Sequence, residues 1–413
     1  MQGVQFKPQR LVIKYFEVAI AYLVLSVTLG SLMQLGIVSG RGFHAHVHMA
    51  LLGFVTLTIM GAMYQIVPTI LGVKLHNPRF AEVQFWLINF GILGLVVSFF
   101  MGRPLIVPLA ILTVLSSYLF IYIILGTRHS SKAPSNLTMN FFLSALFYFS
   151  LALAMGAVLS LQKLSQVPLF YKGNYLVGHV HLALIGFVGL TIMGAMYQML
   201  PMLALKKLHS PKIGEVQFWL VNIGVFGFFL STLSASKGLL AFFGAVTLVA
   251  VYLFVYNMFR TLAEKGATFD ISVKFFASAL VYLTITCTLG VVMALFNKEL
   301  LGFKGLLSAH AHLASMGFVT LTIMGATYHL IPMLVWMTRY SDKLGKEKVP
   351  SIAEMFDQRL ANIQFVSATI GVAGYFLGLL VNNGLALLSA LVFLASTYLF
   401  AYVIYNVIKP WSK

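Results

Sequence analysis

A segment of 23 residues occurs three times in this sequence, almost unchanged each time. It reads HVHMALLGFVTLTIMGAMYQIVP from His46, HVHLALIGFVGLTIMGAMYQMLP from His179 and HAHLASMGFVTLTIMGATYHLIP from His310, at spacings of 133 and 131 residues. Self-similarity at a fixed period indicates an architecture built from repeated structural units. Flanking sequence recurs as well, so we predict a single domain that contains three internal repeats, at residues 1–132, 133–264 and 265–413.

The composition places these repeats in a membrane. Hydrophobic residues make up 60% of the chain and charged residues only 9%, too few charges for the surface of a soluble domain. We count twelve apolar runs of roughly 20 residues, the length that crosses a hydrocarbon layer of about 30 Å. The prediction is an all-α, polytopic membrane protein of twelve transmembrane helices, as three four-helix units in a pseudo-threefold ring.

The distribution of charge predicts the orientation. The net charge is +17, but the Lys and Arg residues lie in loops, so lipid is the expected partner and nucleic acid is not. With a cytoplasmic N-terminus, the cytoplasmic segments carry 20 of the 27 basic residues, which predicts both termini in the cytoplasm of a bacterial or archaeal cytoplasmic membrane. Cys287 is the only cysteine, which excludes disulfides and thioether-linked haem.

Each copy of the repeated segment begins with a His-x-His pair. A helix turns about 100° per residue, so residues two apart face opposite sides. In a ring of three inner helices, each pore would receive two imidazoles from different helices, as a six-coordinate haem iron requires, whereas zinc usually takes four converging ligands. Polar groups at membrane depth indicate function. The predicted haem and iron ligands are His46, His48, His179, His181, His310 and His312.

Other recurring residues favour structural roles. Packing is the preferred explanation for the repeated glycines and Met-Gly pairs, because small residues let helices approach closely. It is also preferred for Tyr64, Tyr197 and Tyr328, although electron transfer remains an alternative. Gln84, Gln217 and Gln364 are expected to bridge helices, and His76 and His209 to lie in cytoplasmic turns.

The third copy resembles subunit I of the haem-copper oxidases, which include the nitric oxide reductases. The tenth helix of that family carries a His-x-His followed by Met-Gly and a late His and Pro, and SAHAHLASMGFVTLTIMGATYHLIP reproduces this pattern in the tenth predicted helix. The resemblance implies that His310 binds the high-spin haem, and that His312 and His46 bind the low-spin haem. Applied to all three repeats, it implies the pairs His46 with His312, His179 with His48, and His310 with His181.

The sequence also departs from the family's pattern. The family's copper site needs a histidine on helix six in a His-Pro-Glu-Val-Tyr setting and two adjacent histidines on helix seven. Here helix six has Gly178-His179-Val180-His181, and residues 215–235 contain no histidine, so copper is not expected. An iron on His310 is then either six-coordinate, with His181 as the other ligand, or five-coordinate, with His181 displaced.

Charged groups add two expectations. Of ten acidic residues, Glu17 is the one expected within a span, and pumps line their routes with intramembrane ionisable groups, so we predict no proton pumping. Haem propionates need cations or hydrogen-bond donors. Arg103 and Lys237, in loops between third and fourth helices, are candidates for this contact, with ordinary solvated charge as an equal alternative.

The favoured function is that of a b-type membrane cytochrome with up to three bis-histidine haems. It would exchange electrons with a quinol or a soluble cytochrome, as an oxidase-like or nitric-oxide-reductase-like oxidoreductase, although the residues leave open whether it turns over a substrate. Dioxygen and nitric oxide are candidate ligands. A haem- or copper-dependent nitric oxide response protein similar to the NnrS family is the alternative. A transporter is disfavoured, because outer histidines leave no midplane substrate site.

Overall fold

The computed structural model describes residues 8–40, 42–101, 105–165, 174–296 and 305–409. Regular structure in these ranges is helical, apart from an isolated bridge between Leu344 and Glu347. Twelve of the described helices are long and apolar enough to cross a membrane. The predicted all-α class and the predicted number of spans are confirmed, and the chain is a multi-pass membrane protein.

The spans are numbered here in chain order. They are α1 Pro8–Gln34, α2 Gly42–Leu71, α3 Pro78–Met101, α4 Ile106–His129, α5 Leu137–Ser165, α6 Tyr175–Leu203, α7 Pro211–Ser234, α8 Lys237–Leu262, α9 Ile271–Leu295, α10 Leu306–Arg339, α11 Gln358–Val381 and α12 Asn383–Ile408.

Polar capping residues define where several of these helices begin. The side chains of Asn174, Ser210, Ser236 and Asp270 each accept a hydrogen bond from the backbone N–H three residues further on. Such caps satisfy one of the N–H groups that the first turn of a helix leaves without an intrahelical partner. The apolar runs of the sequence therefore become helices with defined first residues.

Packing divides the chain into two compact units. The first comprises Met1–Pro134, Ala326–Ser367 and Leu391–Lys413, and in it α1 packs along α2 while α3 packs against α4. The second comprises Ser135–Gly325 and Ala368–Ala390, and in it α5 packs along α6, α7 against α8, and α9 along the first half of α10. The division by packing is not a division by sequence repeat. The boundaries of the three sequence repeats stay predictions, as does the arrangement of the repeats in a ring.

The three helices that carry the repeated segment are the most buried spans. In the most apolar stretch of each, 67% of residues are buried in α2, 56% in α6 and 83% in α10, against at most 44% in the other nine described spans. The third helix of each repeat instead exposes large apolar side chains, among them Phe90, Trp219 and Ile370. Exposed apolar surface of this kind suits a hydrocarbon solvent. The histidine pairs therefore lie on the buried helices.

Candidate functional site

Each His-x-His pair ends a short α-helical segment at the start of its span. These segments are Gly42–His48, Tyr175–His181 and Leu306–His312. The next eight residues of each span are π-helical, and these π segments are Met49–Thr56, Leu182–Gly189 and Leu313–Thr320. A π-helix bonds residue i to i+5, is rare, and is found most often at functional sites. A π segment follows the second histidine of all three pairs directly, which makes this part of each span a candidate functional site.

Each π segment contains a glycine at which the preceding helix approaches closely. The glycine faces a tyrosine of that helix: a Cβ atom on Gly53 would lie 2.4 Å from Cγ of Tyr22, and one on Gly186 would lie 2.7 Å from Cβ of Tyr148. Gly317 has the same relation to Tyr282, at 2.8 Å. These glycines therefore permit helix contact, as the sequence indicated.

The first histidine of each pair is oriented by the preceding helix. His46 places Nδ1 2.8 Å from the carbonyl oxygen of Ser26 on α1, and His179 places Nδ1 2.9 Å from that of Ala152 on α5. A carbonyl oxygen can only accept, so Nδ1 donates and carries the proton. The lone pair is then on Nε2, the nitrogen left to bind a metal.

His310 differs from its two counterparts. Its nearest anchoring group is the backbone of Thr286 on α9, in the position equivalent to Ser26 and Ala152. This contact lacks regular hydrogen-bond geometry, and Nδ1 of His310 is buried without a regular hydrogen-bond partner among the described residues. An imidazole N–H in that condition is unusual in a folded protein. The three first histidines are therefore not equivalent.

Three further glycines make room for the first histidines. A Cβ atom on Gly30 would lie 2.7 Å from Cε1 of His46, and the same atom on Gly156 or Gly290 would lie 3.0 Å from Cε1 of His179 or His310. Each glycine is four residues beyond the anchoring residue of its helix, so it lies one turn further along the same face. The sequence analysis missed these glycines, although aligning VTLGSL, LAMGAV and CTLGVV from the first helices would have shown them.

The second histidines are oriented by their own helices. His48, His181 and His312 each place Nδ1 2.8 Å from the carbonyl oxygen four residues earlier, which belongs to His44, Val177 and Ser308 respectively. An aromatic ring from the third helix of the same repeat lies beside each of them. The ring centroids are 4.8 Å apart for His48 and Phe99, 4.7 Å for His181 and Phe228, and 5.0 Å for His312 and Tyr375.

Two histidines from different helices face each other within the second compact unit. The ring centroids of His181 on α6 and His310 on α10 are 6.5 Å apart, and the planes differ by 24°. Metal–imidazole nitrogen bonds of about 2 Å would separate the centroids of two opposed imidazoles by roughly 6 Å. The spacing of these two rings therefore fits one metal ion between them.

The donor set suits a metal that brings its own equatorial ligands. Among the described residues, no group of three or more His, Cys, Asp or Glu side chains converges as a protein-only metal site requires. Haem supplies four equatorial nitrogens and takes two axial imidazoles from the protein. Paired imidazoles, each hydrogen-bonded at Nδ1 or buried beside a backbone carbonyl, fit that requirement.

Of the two loop cations predicted to contact haem propionates, the structure describes one. Arg103 lies outside the described residues. Lys237 is the exposed first residue of α8, directly after the capping residue Ser236. Contact of either side chain with a propionate stays a prediction.

The recurring tyrosines and glutamines lie at a second level, deeper in the buried helices. Tyr64 donates to Gln84 at 3.1 Å, Tyr197 donates to Gln217 at 3.1 Å, and Tyr328 donates to Gln364 at 3.2 Å. In each pair the tyrosine belongs to the second helix of a repeat and the glutamine to the third, so the glutamines bridge helices as expected.

Comparison with known proteins gives matches of three kinds. The model of a family described as cytochrome c and quinol oxidase polypeptide I matches residues 103–237 and 234–410. An uncharacterized protein of Aquifex aeolicus (strain VF5) is 29% identical over 294 residues, which cover 70% of this chain and 71% of that protein. A haem-copper terminal oxidase dimer solved by cryo-electron microscopy aligns with a TM-score of 0.73 at 16% identity, over 98% of this chain and 84% of that one. The last match shows a shared fold.

Proposed function

Because this chain belongs to the family of cytochrome c and quinol oxidase polypeptide I, whose fold it shares, we propose that it is a membrane cytochrome that carries electrons through bis-histidine haems. Membership supports a membrane oxidoreductase with haem cofactors. The haem number, the haem type and the electron partners go beyond membership and are proposed here: up to three haems, of the b type, and a quinol or soluble cytochrome as partner.

The facing rings of His181 and His310 carry this proposal. The 6.5 Å separation of their ring centroids and their small interplanar angle are compatible with two imidazoles that would hold one haem iron between them. Haem would supply reversible one-electron chemistry there, and the protein would supply ligands, orientation and an apolar surrounding. We propose the same ligand role for His46, His48, His179 and His312, whose rings are held in the same manner. The pairing of these four stays a prediction.

The protein's own groups would determine how such a site behaves. Hydrogen bonds at Nδ1 fix the tautomer in which Nε2 binds the metal, and they raise the basicity of the ligand. The rings of Phe228 and Tyr375 lie against His181 and His312 and would cover one side of each of these histidines. A dry surrounding of fixed dipoles is the condition under which a protein sets the potential of a bound metal.

We propose that electron transfer is not coupled to proton pumping. Glu17 is an exposed carboxyl group within α1, and proton routes through membranes are lined by series of ionisable groups. The distribution of basic residues supports placement in a cytoplasmic membrane with both termini in the cytoplasm.

The test is the spectrum and haem content of the purified full-length protein. We expect b-type absorption, low-spin signals in electron paramagnetic resonance and up to three haems per chain. His310→Ala should remove one haem, because it removes an axial ligand of one iron. A colourless protein, or haem content unchanged in His310→Ala, would contradict the proposal.

Carbon monoxide separates electron transfer from gas response. A haem with two bound imidazoles has no open axial position, so the reduced wild-type protein should give little or no carbon monoxide difference spectrum. A nitric oxide response protein should give a strong one.

A further inference from the structure

One position on the first helix of each repeat lies beside the first histidine and carries a different residue each time. The residues are Ser26, Ala152 and Thr286, each four residues before the glycine that contacts the imidazole. All three are buried. The backbone carbonyls of the first two accept from Nδ1 of His46 and His179. The backbone of Thr286 lies beside His310, but Nδ1 of His310 has no partner with regular hydrogen-bond geometry in the described part of the chain.

A hydroxyl group at this position reaches the histidine. Oγ of Ser26 lies 3.3 Å from Nδ1 of His46, and it also donates to the carbonyl oxygen of His46 at 3.0 Å. In the second repeat, Ala152 offers no hydroxyl, and the backbone carbonyl alone holds His179. Ser26 and Thr286 are therefore the two residues at this position whose side chains can hydrogen-bond to a histidine.

The hydroxyl of Thr286 is not used by its own helix. Its neighbours on α9 bond back along the helix, since Thr284 donates to the carbonyl of Leu280 at 2.9 Å and Thr288 donates to that of Thr284 at 2.7 Å. Oγ1 of Thr286 has no hydrogen-bond partner among the described residues, although it is buried. Threonine hydroxyls in helices usually make the bond to the preceding turn.

Two buried polar atoms thus lie unsatisfied on two helices that pack against each other, α9 and α10. One is Oγ1 of Thr286 and the other is Nδ1 of His310. The ring of His310 contacts the first helix one turn beyond Thr286, at Gly290. A buried polar group without a hydrogen-bond partner destabilises the fold, so a rearrangement that pairs these two atoms is favourable.

We propose that Thr286 is the positioning residue of His310, and that its hydroxyl accepts the Nδ1 proton of His310 when haem is bound between His181 and His310. This inference rests on the proposed function. It makes the ligand strength of His310 depend on one side chain, whereas His46 and His179 depend on backbone carbonyls that no substitution removes. The haem at His310 is therefore the one whose properties a single threonine controls.

The experiment replaces the hydroxyl without changing the shape of the side chain. Thr286→Val should remove the hydroxyl acceptor and leave Nδ1 only the poorly aligned backbone carbonyl of residue 286, which weakens the imidazole as a ligand. We expect about tenfold lower haem affinity at this site, together with a higher midpoint potential for this haem alone, because a weaker donor stabilises the oxidised iron less. Thr286→Ser should restore both values.

Thr284→Val is the matched control. It makes the same change two residues away on the same helix, where the hydroxyl donates to the carbonyl of Leu280, so the haem content and all midpoint potentials should stay close to those of the wild type. The haems retained by Thr286→Val report that the variant has folded. If that variant loses all its haem, Thr286→Ala, which copies the residue of the second repeat, takes its place in the same comparison.

The outcomes separate this inference from the proposed function. A wild-type protein without haem, or one whose haem content survives His310→Ala, overturns both. A wild-type protein with that haem, whose potential and affinity are unchanged in Thr286→Val, overturns only the role of Thr286. A shift in Thr286→Val that Thr286→Ser does not reverse also overturns it, since the hydroxyl is then not the cause.

Discussion

Two levels along the buried helices carry recurring polar side chains, and the two levels differ in how those side chains are satisfied. At the tyrosine–glutamine level, the polar atoms bond to other side chains of the protein. Gln84 accepts from Tyr15 and Tyr64 and donates to Ser116 and to the sulfur of Met60. Gln364 likewise accepts from Tyr328 and donates to Ser396.

At the histidine level, the hydrogen bonds of His46, His179 and His181 use one nitrogen of the ring. Nδ1 of His46, His179 and His181 bonds to a backbone carbonyl, which leaves the metal-binding lone pair on Nε2. The comparison shows that recurrence in a repeat does not by itself distinguish structure from function. Polar groups that satisfy each other hold helices together, whereas groups held on one side only are positioned for a ligand.

The largest expected effect is at the histidine level. His179→Ala should remove one haem from the purified protein, because the substitution deletes an imidazole that would hold the iron. Haem per chain, measured by the pyridine haemochrome spectrum, checks this. Unchanged haem content would show that His179 has a structural role, like the tyrosines and glutamines, and that the two levels do not differ in function.

The second expected effect is at the tyrosine–glutamine level. Gln84→Leu should destabilise the protein by about 1–3 kcal/mol for each tyrosine hydroxyl left without an acceptor, while the haem content stays at the wild-type value. Thermal unfolding in detergent and haem content, measured on the same preparation, check both parts. Loss of haem without loss of stability would show that this level also serves the cofactor.

A smaller effect is expected from crowding the first histidines. Gly30→Ala places a methyl group 2.7 Å from the ring of His46, and Gly156→Ala places one 3.0 Å from that of His179. Overpacking typically costs about 1–3 kcal/mol, and displacement of a ligand ring should change the low-spin paramagnetic signal. The change in the paramagnetic signal should be greater for Gly30→Ala. If both variants give the same spectrum as the wild type, the glycines serve helix packing alone.

The smallest effect is expected at a histidine outside both levels. His209 lies between α6 and α7, where its backbone N–H donates to Thr261 and its ring lies beside that of Tyr256. His209→Ala keeps the backbone bond, so stability should change by about 0.5 kcal/mol or less and haem content should not change. A lost haem in this variant would mean that the ligands have been misassigned.

The twelve spans and the buried position of α2, α6 and α10 were predictable from sequence. Long apolar runs report lipid burial directly, and the histidines stand out because they are polar residues repeated at one place in three copies. The π segments were not predictable, since a change from i→i+4 to i→i+5 bonding leaves no compositional sign in LLGFVT, LIGFVG or SMGFVT.

The surroundings of the histidines were also beyond prediction. The carbonyl that holds His46 is 20 residues away on another helix, and the one that holds His179 is 27 residues away. Loops of different length separate each pair, so no fixed spacing connects the anchor to the ligand. The unequal roles of Ser26, Ala152 and Thr286 follow only from hydrogen bonds that are present in two repeats and absent in the third.

The central claim is that two imidazoles from different helices share one iron, and a double substitution tests it most directly. Haem per chain is compared among the wild type, His181→Ala, His310→Ala and the protein with both changes. If His181 and His310 bind the same iron, each single variant lacks one haem and the double variant lacks the same one. A double variant that lacks two haems would show separate sites, and one that keeps every haem would show that these histidines are not ligands.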